Sequence, residues 1–208
     1  MRIGVIGAGN VGGALGRGWA RKGHEVTFGV RHPSDPKLKP LLEETETKAT
    51  SPAEAAADAE VVVLATPWEG TEEAVRGLGD LAGRILFDCT NPLAPQLSGL
   101  THGFDTSAAE QVASWAPGAR VVKVFNTTGA NNMENPDFNG VAATMFYCGD
   151  DKEAKSTAHQ LAADLGFDPL DCGNLEQARL LEPLALLWIR LAYLQGMGRE
   201  IAFKLMKR

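Results

Sequence analysis

The run V-I-G-A-G-N-V-G-G-A-L-G-R-G-W-A, residues 5–20, constrains this chain more than any other feature. Gly7, Gly9 and Gly12 stand in G-x-G-x-x-G spacing. That spacing alone is a weak signal, because glycine is common. Here an apolar run, RIGVIG at 2–7, precedes it, a helical pattern follows it, and a second apolar run begins near residue 25. Gly7 permits the tight turn and Gly9 lets the backbone approach a pyrophosphate. Gly12 lets helix and strand pack closely, and Ala8, Asn10 and Val11 complete a cradle of backbone N–H groups at the helix start. The loop therefore predicts a dinucleotide-binding βαβ unit.

The rest of the chain continues that pattern. Runs at 25–30, 60–66, 84–90, 119–126, 143–149 and 167–173 read as strands, several of them apolar without alternation, as when helices cover both sheet faces. SPAE at 51–54 and SAAE at 107–110 read as capping boxes, and Asp150 with Glu153 opens a helix to about residue 163. Pro33, Pro36 and Pro40 make the segment after the second strand a loop with at most a short helix over 37–44. The expected fold is a doubly wound, mostly parallel α/β sheet of the Rossmann NAD(P)-binding type over residues 1–172. A C-terminal helical segment over 173–208, broken by Pro183, Gly196 and Gly198, is expected to pack on the sheet or on a second subunit.

A site that prefers NAD carries Asp or Glu at the end of the second strand, to accept from the ribose hydroxyls. No acid occurs from Val26 to Ser34, and VTFGVRH places Arg31 there instead. A guanidinium is a planar donor fork suited to phosphate. Arg31, with His32 and Lys37 as further donors, thus points to the 2′-phosphate of NADP. Thr66, Pro67 and Trp68, then Asn91 and Pro92, then Asn126, Thr127 and Thr128 fall at successive strand ends. Ligands of open parallel sheets lie outside those ends, so these residues are expected to line the cofactor crevice.

Acid–base groups are scarce. His24 falls in a turn, His159 on a helix away from the crevice, and His102 in a loop. Lys123 lies within a strand, where a structural role competes with a catalytic one. No side chain is assigned as a catalytic acid or base, and no spacing suggests a metal site. Hydride exchange between two bound cofactors needs chiefly orientation, with reacting atoms about 3–3.5 Å apart. An imine or carbonyl reductase would need a proton donor, with His102, Lys123 or Thr128 available; a non-catalytic NADP(H) sensor would need none.

Composition narrows the class further. A net charge of -6 argues against general nucleic-acid binding, and 44% apolar with 22% charged residues fits a soluble fold. Cys89, Cys148 and Cys172, odd in number and widely spaced, favour a reducing compartment. Without a leader-like start or a membrane-length apolar run, the expected location is the cytoplasm.

GVRH, TPWEG, TNPLAP, VVKVFNT, CGDD, ARLLEPLALL and GMGREIAFKL, with the glycine loop, occur in the order of NADP-dependent oxidoreductases that use the deazaflavin coenzyme F420. The FN pair at 125–126 also resembles the cytosolic NADPH–flavin oxidoreductase domain of six-transmembrane metalloreductases. The resemblance implies NADPH in the Gly7–Gly12 and Arg31 site, with its nicotinamide near Pro67, Trp68 and Asn126–Thr128. It also implies F420, FAD or FMN as hydride partner, near Asn91–Pro95 and the C-terminal segment, in a homodimer. Family members carry histidine and an aliphatic residue where Asn126 and Thr128 stand, and histidine where Gly70 stands.

Overall fold

A computed structural model describes all 208 residues. Strand β1 (Arg2–Ile6), helix α1 (Asn10–Arg21) and strand β2 (Glu25–Gly29) form the first βαβ unit. Then come α2 (Lys39–Thr45), β3 (Lys48–Thr50), α3 (Pro52–Ala57), β4 (Val61–Leu64), α4 (Thr71–Arg76) and β5 (Ile85–Asp88). The second half holds α5 (Ala108–Trp115), β6 (Arg120–Lys123), α6 (Ala130–Glu134) and a small hairpin of β7 (Asp137–Phe138) and β8 (Val141–Ala142). Strand β9 (Thr144–Gly149), α7 (Lys152–Asp164), β10 (Asp168–Asp171) and α8 (Ala178–Tyr193) complete it.

The main sheet runs β10-β9-β6-β5-β4-β1-β2-β3. From β3 to β6 every neighbouring pair is parallel, while β9 lies antiparallel to β6 and β10 runs parallel to β9. The expected doubly wound, mostly parallel sheet is therefore the architecture found. Its strands read as continuous apolar runs because both faces are covered. Val5, Val63, Phe87 and Val122 pack with Leu15 and Trp19 of α1 and Leu161 of α7. Their neighbours Ile6, Val62, Leu64, Leu86 and Val121 pack with α3, α4, α5 and α8 through Ala55, Val75, Val112 and Leu181. Burying each such side chain contributes ~1.5–3 kcal/mol, so both faces hold the sheet.

Side-chain caps set the starts of α3, α5 and α7. Ser51 and Glu54 form the reciprocal capping box, with Pro52 in the first turn of α3. Ser107 caps α5 from the Glu110 N–H at 3.2 Å, but the Glu110 carboxylate pairs with Arg179 instead of closing the box. The helix expected to open on Asp150 is capped by Asp151, whose Oδ1 accepts from Ala154 N–H at 2.8 Å. Asp150 turns away to accept from the Leu175 N–H at 3.0 Å.

The C-terminal region departs from expectation in two ways. Pro183 does not interrupt α8, because the lost backbone bond is offset by a buried face of Leu181, Glu182, Ala185 and Trp188. Beyond Leu194 the helix does not resume: Gly196 and Gly198 take φ of 72° and 77°, in the left-handed region. Residues after them run as an extended strap. Trp188 Nε1 and Asn132 Nδ2 donate to Ile201 O, each at 2.7 Å, and Thr144 N donates to Phe203 O at 3.0 Å.

Candidate functional site: the carboxyl edge of the sheet

Neighbouring parallel strands bring the loops after β2, β1, β4, β5 and β6 side by side along one edge. The three glycines divide their work there. Gly7 has φ of +103°, and a Cβ on it would lie 2.6 Å from Ala65 O, so the turn after β1 sits directly on the end of β4. A Cβ on Gly12 would lie 1.9 Å from Gly7 O, so this residue sets the approach of α1 to the loop. A Cβ on Gly9 would meet nothing within 4 Å. Gly9 leaves space that no part of the protein fills.

Gly9 is also the N-cap of α1, and it supplies no side-chain cap; no acid stands in the first turn. Ser51, Ser107 and Asp151 cap α3, α5 and α7, while α2, α4, α6 and α8 share with α1 the lack of a side-chain cap. The leading N–H groups of α1, from Asn10, Val11 and Gly12, thus have no partner within the helix and sit at its positive end. An exposed Gly9 and Asn10 beside half-buried Ala8 and Val11 make an open anion cradle. These residues fit the diphosphate of a dinucleotide.

Arg31 and His32 follow β2 and are exposed. The Arg31 guanidinium enters no ion pair or hydrogen bond of the chain, and no acid replaces it at this strand end. Lys37 lies in a short 3-10 turn, exposed, with only its backbone N–H held, by Asp35 Oδ1 at 2.9 Å.

At β4 the Thr66 and Thr71 hydroxyls are 2.9 Å apart, and Thr71 also donates to Pro67 O at 3.0 Å, so the turn leaves Pro67 exposed. Trp68 packs between Trp115 and His102, with ring centroids 5.4 Å from each. His102 therefore reaches this edge, and Trp115 and Thr71 are site neighbours that sequence reasoning missed. Pro92 is buried, its carbonyl accepting from Thr101 N–H at 2.7 Å.

Asn91 and Asn126 bind each other across β5 and β6. Asn91 Nδ2 donates to Asn126 O at 3.0 Å, and Asn126 Nδ2 donates to Asn91 Oδ1 at 3.1 Å and Leu181 O at 3.2 Å. With Nδ2 committed to those acceptors, Asn126 Oδ1 is buried without a partner. Phe125 before it is wholly buried at φ of +59°, a left-handed backbone that costs about 1–3 kcal/mol and clusters at functional sites. Thr127 is buried, and Thr128 Oγ1 accepts from Asn132 Nδ2 at 2.8 Å.

Beneath this edge lies a network the sequence did not disclose. Lys123, Asp88 and Glu182 are fully buried, with Lys123 Nζ 2.9 Å from Asp88 Oδ2 and 2.7 Å from Glu182 Oε1. Burial pulls the ammonium toward neutrality, but the two carboxylates outweigh it and push Lys123 up to about 12. It stays charged and shielded, which removes it as a proton donor to the crevice. Burial raises the Cys148 thiol to about 12 and pushes the Cys89 thiol well above its ordinary value, so both are inert apolar neighbours. His24 is held by Asp164 at 2.9 Å and His159 packs on Tyr147. No helix is long and apolar enough to cross a membrane.

Known proteins resemble this chain in sequence and in fold. The family model described as NADP oxidoreductase, coenzyme F420-dependent, matches residues 2–92, from β1 through the Asn91 turn. The chain is 34% identical to metalloreductase STEAP3 of Rattus norvegicus over 89% of its own length, but spans only 36% of that protein. It is 31% identical to the F420-dependent NADP reductase of Methanothermobacter marburgensis, over 92% of each chain. A crystal structure of an Arthrobacter sp. FB24 protein, assigned as an F420-dependent NADP reductase, covers the whole of both chains with a TM-score of 0.91 at 34% identity. With the glycine cradle, the Arg31 strand end and full-length likeness in agreement, the chain belongs to the F420-dependent NADP reductase family.

Proposed function

We propose that this protein binds NADP(H) along the carboxyl edge of its sheet and transfers hydride between it and a second flat redox cofactor, coenzyme F420 or a flavin (FAD or FMN). The observation that carries the reading is the pairing of an unfilled cradle at Gly9 with an unpaired Arg31 at the end of β2. Bound NADPH supplies the hydride equivalent from its nicotinamide ring. Asn10, Val11 and Gly12 hold the diphosphate by backbone N–H groups, and Ala8 shapes the loop. Arg31 takes the 2′-phosphate, with His32 and Lys37 as outer cations. Thr66, Pro67, Trp68, Asn91, Pro92, Asn126, Thr127 and Thr128 line the nicotinamide end. No catalytic acid or base is needed, since the lining orients two rings and excludes water.

One observation favours a second reading. His102, packed on Trp68, is an imidazole at this edge that could protonate an imine or carbonyl acceptor. NADPH oxidation followed spectrophotometrically with F420, FAD, FMN and small imines separates the two. Turnover with F420 or a flavin supports the proposal, and turnover with imines alone sinks it. Binding without any turnover would make the chain a sensor.

The proposal includes a cytoplasmic homodimer assembled through the 173–208 segment. Three unpaired cysteines fit a reducing compartment. Leu180 and Leu187 on α8 and Leu194 at its C-cap, spaced by sevens, are 64%, 49% and 56% exposed and form one apolar stripe.

A further inference from the structure

Asp88, Lys123 and Glu182 have side chains with no exposed surface. The Lys123 ammonium donates to Asp88 Oδ2 at 2.9 Å and the Thr90 carbonyl at 2.7 Å, and it pairs with Glu182 Oε1 at 2.7 Å. Asp88 Oδ1 accepts from the Thr90 N–H and hydroxyl at 2.9 and 2.7 Å. Glu182 accepts from the N–H groups of Ala108 and Ala109 at 2.9 and 3.2 Å, so the surplus negative charge faces the positive end of α5.

Taking three ions out of water is expensive, and an apolar trio of the same volume is often as stable. What an apolar trio lacks is direction. Each arm of this network ends beside one half of the Asn91–Asn126 amide pair. Thr90, whose carbonyl Lys123 holds, directly precedes Asn91. Glu182 directly follows Leu181, whose carbonyl receives Asn126 Nδ2. Lys123 itself lies three residues before Asn126, across the left-handed Phe125. Together these anchors fix both acceptors of Asn126 Nδ2, so its Oδ1 must face away from them. That oxygen is one of two buried side-chain acceptors left without a partner, the other being Asn131 Oδ1 outside this network.

We infer that Lys123 is a positioning residue: with Asp88 and Glu182 it orients the Asn91–Asn126 pair so that Asn126 Oδ1 accepts from the carboxamide N–H2 of the nicotinamide. This rests on the NADP(H) reading above and not on the identity of the hydride acceptor. The network sets the rotation of the ring, and the glycine cradle with Arg31 sets the other end of the dinucleotide.

The test compares the full chain with the neutral variant Asp88→Asn/Lys123→Met/Glu182→Gln and with Asn126→Leu. Calorimetry gives affinities for NADPH and for 2′,5′-ADP, which lacks the nicotinamide. The rise in NADPH fluorescence on binding reports how firmly the ring is held. In both variants the affinity for 2′,5′-ADP is expected within twofold of the parent. NADPH is expected to bind about fivefold to tenfold more weakly, with at least half of the fluorescence rise lost. Combining the four substitutions should add nothing further. A folded neutral variant with unchanged NADPH affinity and fluorescence overturns the inference, leaving the network merely structural. If that variant does not fold, Glu182→Gln alone carries the same readouts, and an undiminished signal there or in Asn126→Leu also overturns it. A parent that binds 2′,5′-ADP without any nicotinamide signal sinks the inference while sparing the cradle; one that binds neither ligand sinks the NADP(H) reading itself.

Discussion

At the scale of single residues, the glycine loop separates folding from binding. A methyl group at Gly12 would collide with Gly7 O at 1.9 Å, whereas one at Gly9 enters open space at an ordinary φ of -76°. Gly12→Ala should therefore lower stability by about 1–3 kcal/mol, measured by chemical denaturation. Gly9→Ala should leave the unfolding curve unchanged and weaken NADPH binding by an order of magnitude or more, because the added carbon occupies the diphosphate's approach. Arg31→Ala should weaken NADPH binding by roughly tenfold to a hundredfold, the worth of about 1.5–3 kcal/mol for charge-assisted bonds, and leave NADH unaffected. Equal affinity of the parent for the two dinucleotides in calorimetry would remove the phosphate argument. These roles were legible because turn geometry and the charge at a strand end are local properties. The partners of Lys123 were not legible, since Asp88 lies 35 residues away.

At the scale of elements, α8 carries two incompatible faces. Leu181, Ala185 and Trp188 are buried, while Leu180, Leu187 and Leu194 are left in water. Leu187→Glu should yield a monomer by light scattering, at unchanged helicity, if that stripe is the contact between copies. A monomeric parent would remove the dimer proposal. From the same helix, Arg190 binds Leu97 O at 3.0 Å and Ser98 O at 2.6 Å, holding a turn in which Gln96 and Leu97 both have left-handed φ. Strands with continuous apolar runs were readable from the pattern, but β3 was not. Its three residues, Lys48–Thr50, form a short edge strand with no apolar run. The β7–β8 hairpin did carry a signal, for Asn139-Gly140 at φ of 56° and 87° is the preferred two-residue turn.

At the scale of the whole molecule, the buried ion network ties β5, β6, α5 and α8 together and makes stability depend on pH. The Lys123 ammonium is raised from 10.5 to about 12 in the folded state. A folded value above the unfolded one gives a contribution that is complete below about pH 10.5 and fades as pH rises through about 12. The loss should be about 2 kcal/mol, at about 1.4 kcal/mol per pKa unit. Denaturant unfolding of the parent at alkaline pH should show that decline, and Asp88→Asn/Lys123→Met/Glu182→Gln should lack it. The same slope in both proteins would place the alkaline weakness elsewhere.

The sequence by itself determined the parallel α/β class, the glycine turn after β1 and the free cation after β2. Each follows from residues within a few positions of one another: a glycine spacing, an apolar run or a missing acid. Only the tertiary structure decided which strand ends stand side by side, that His102 meets Trp68, that Lys123 is buried between two carboxylates, and that Asn126 keeps one oxygen free. Those facts depend on the sheet order and on α8 returning over the edge, contacts between distant segments that no local propensity encodes.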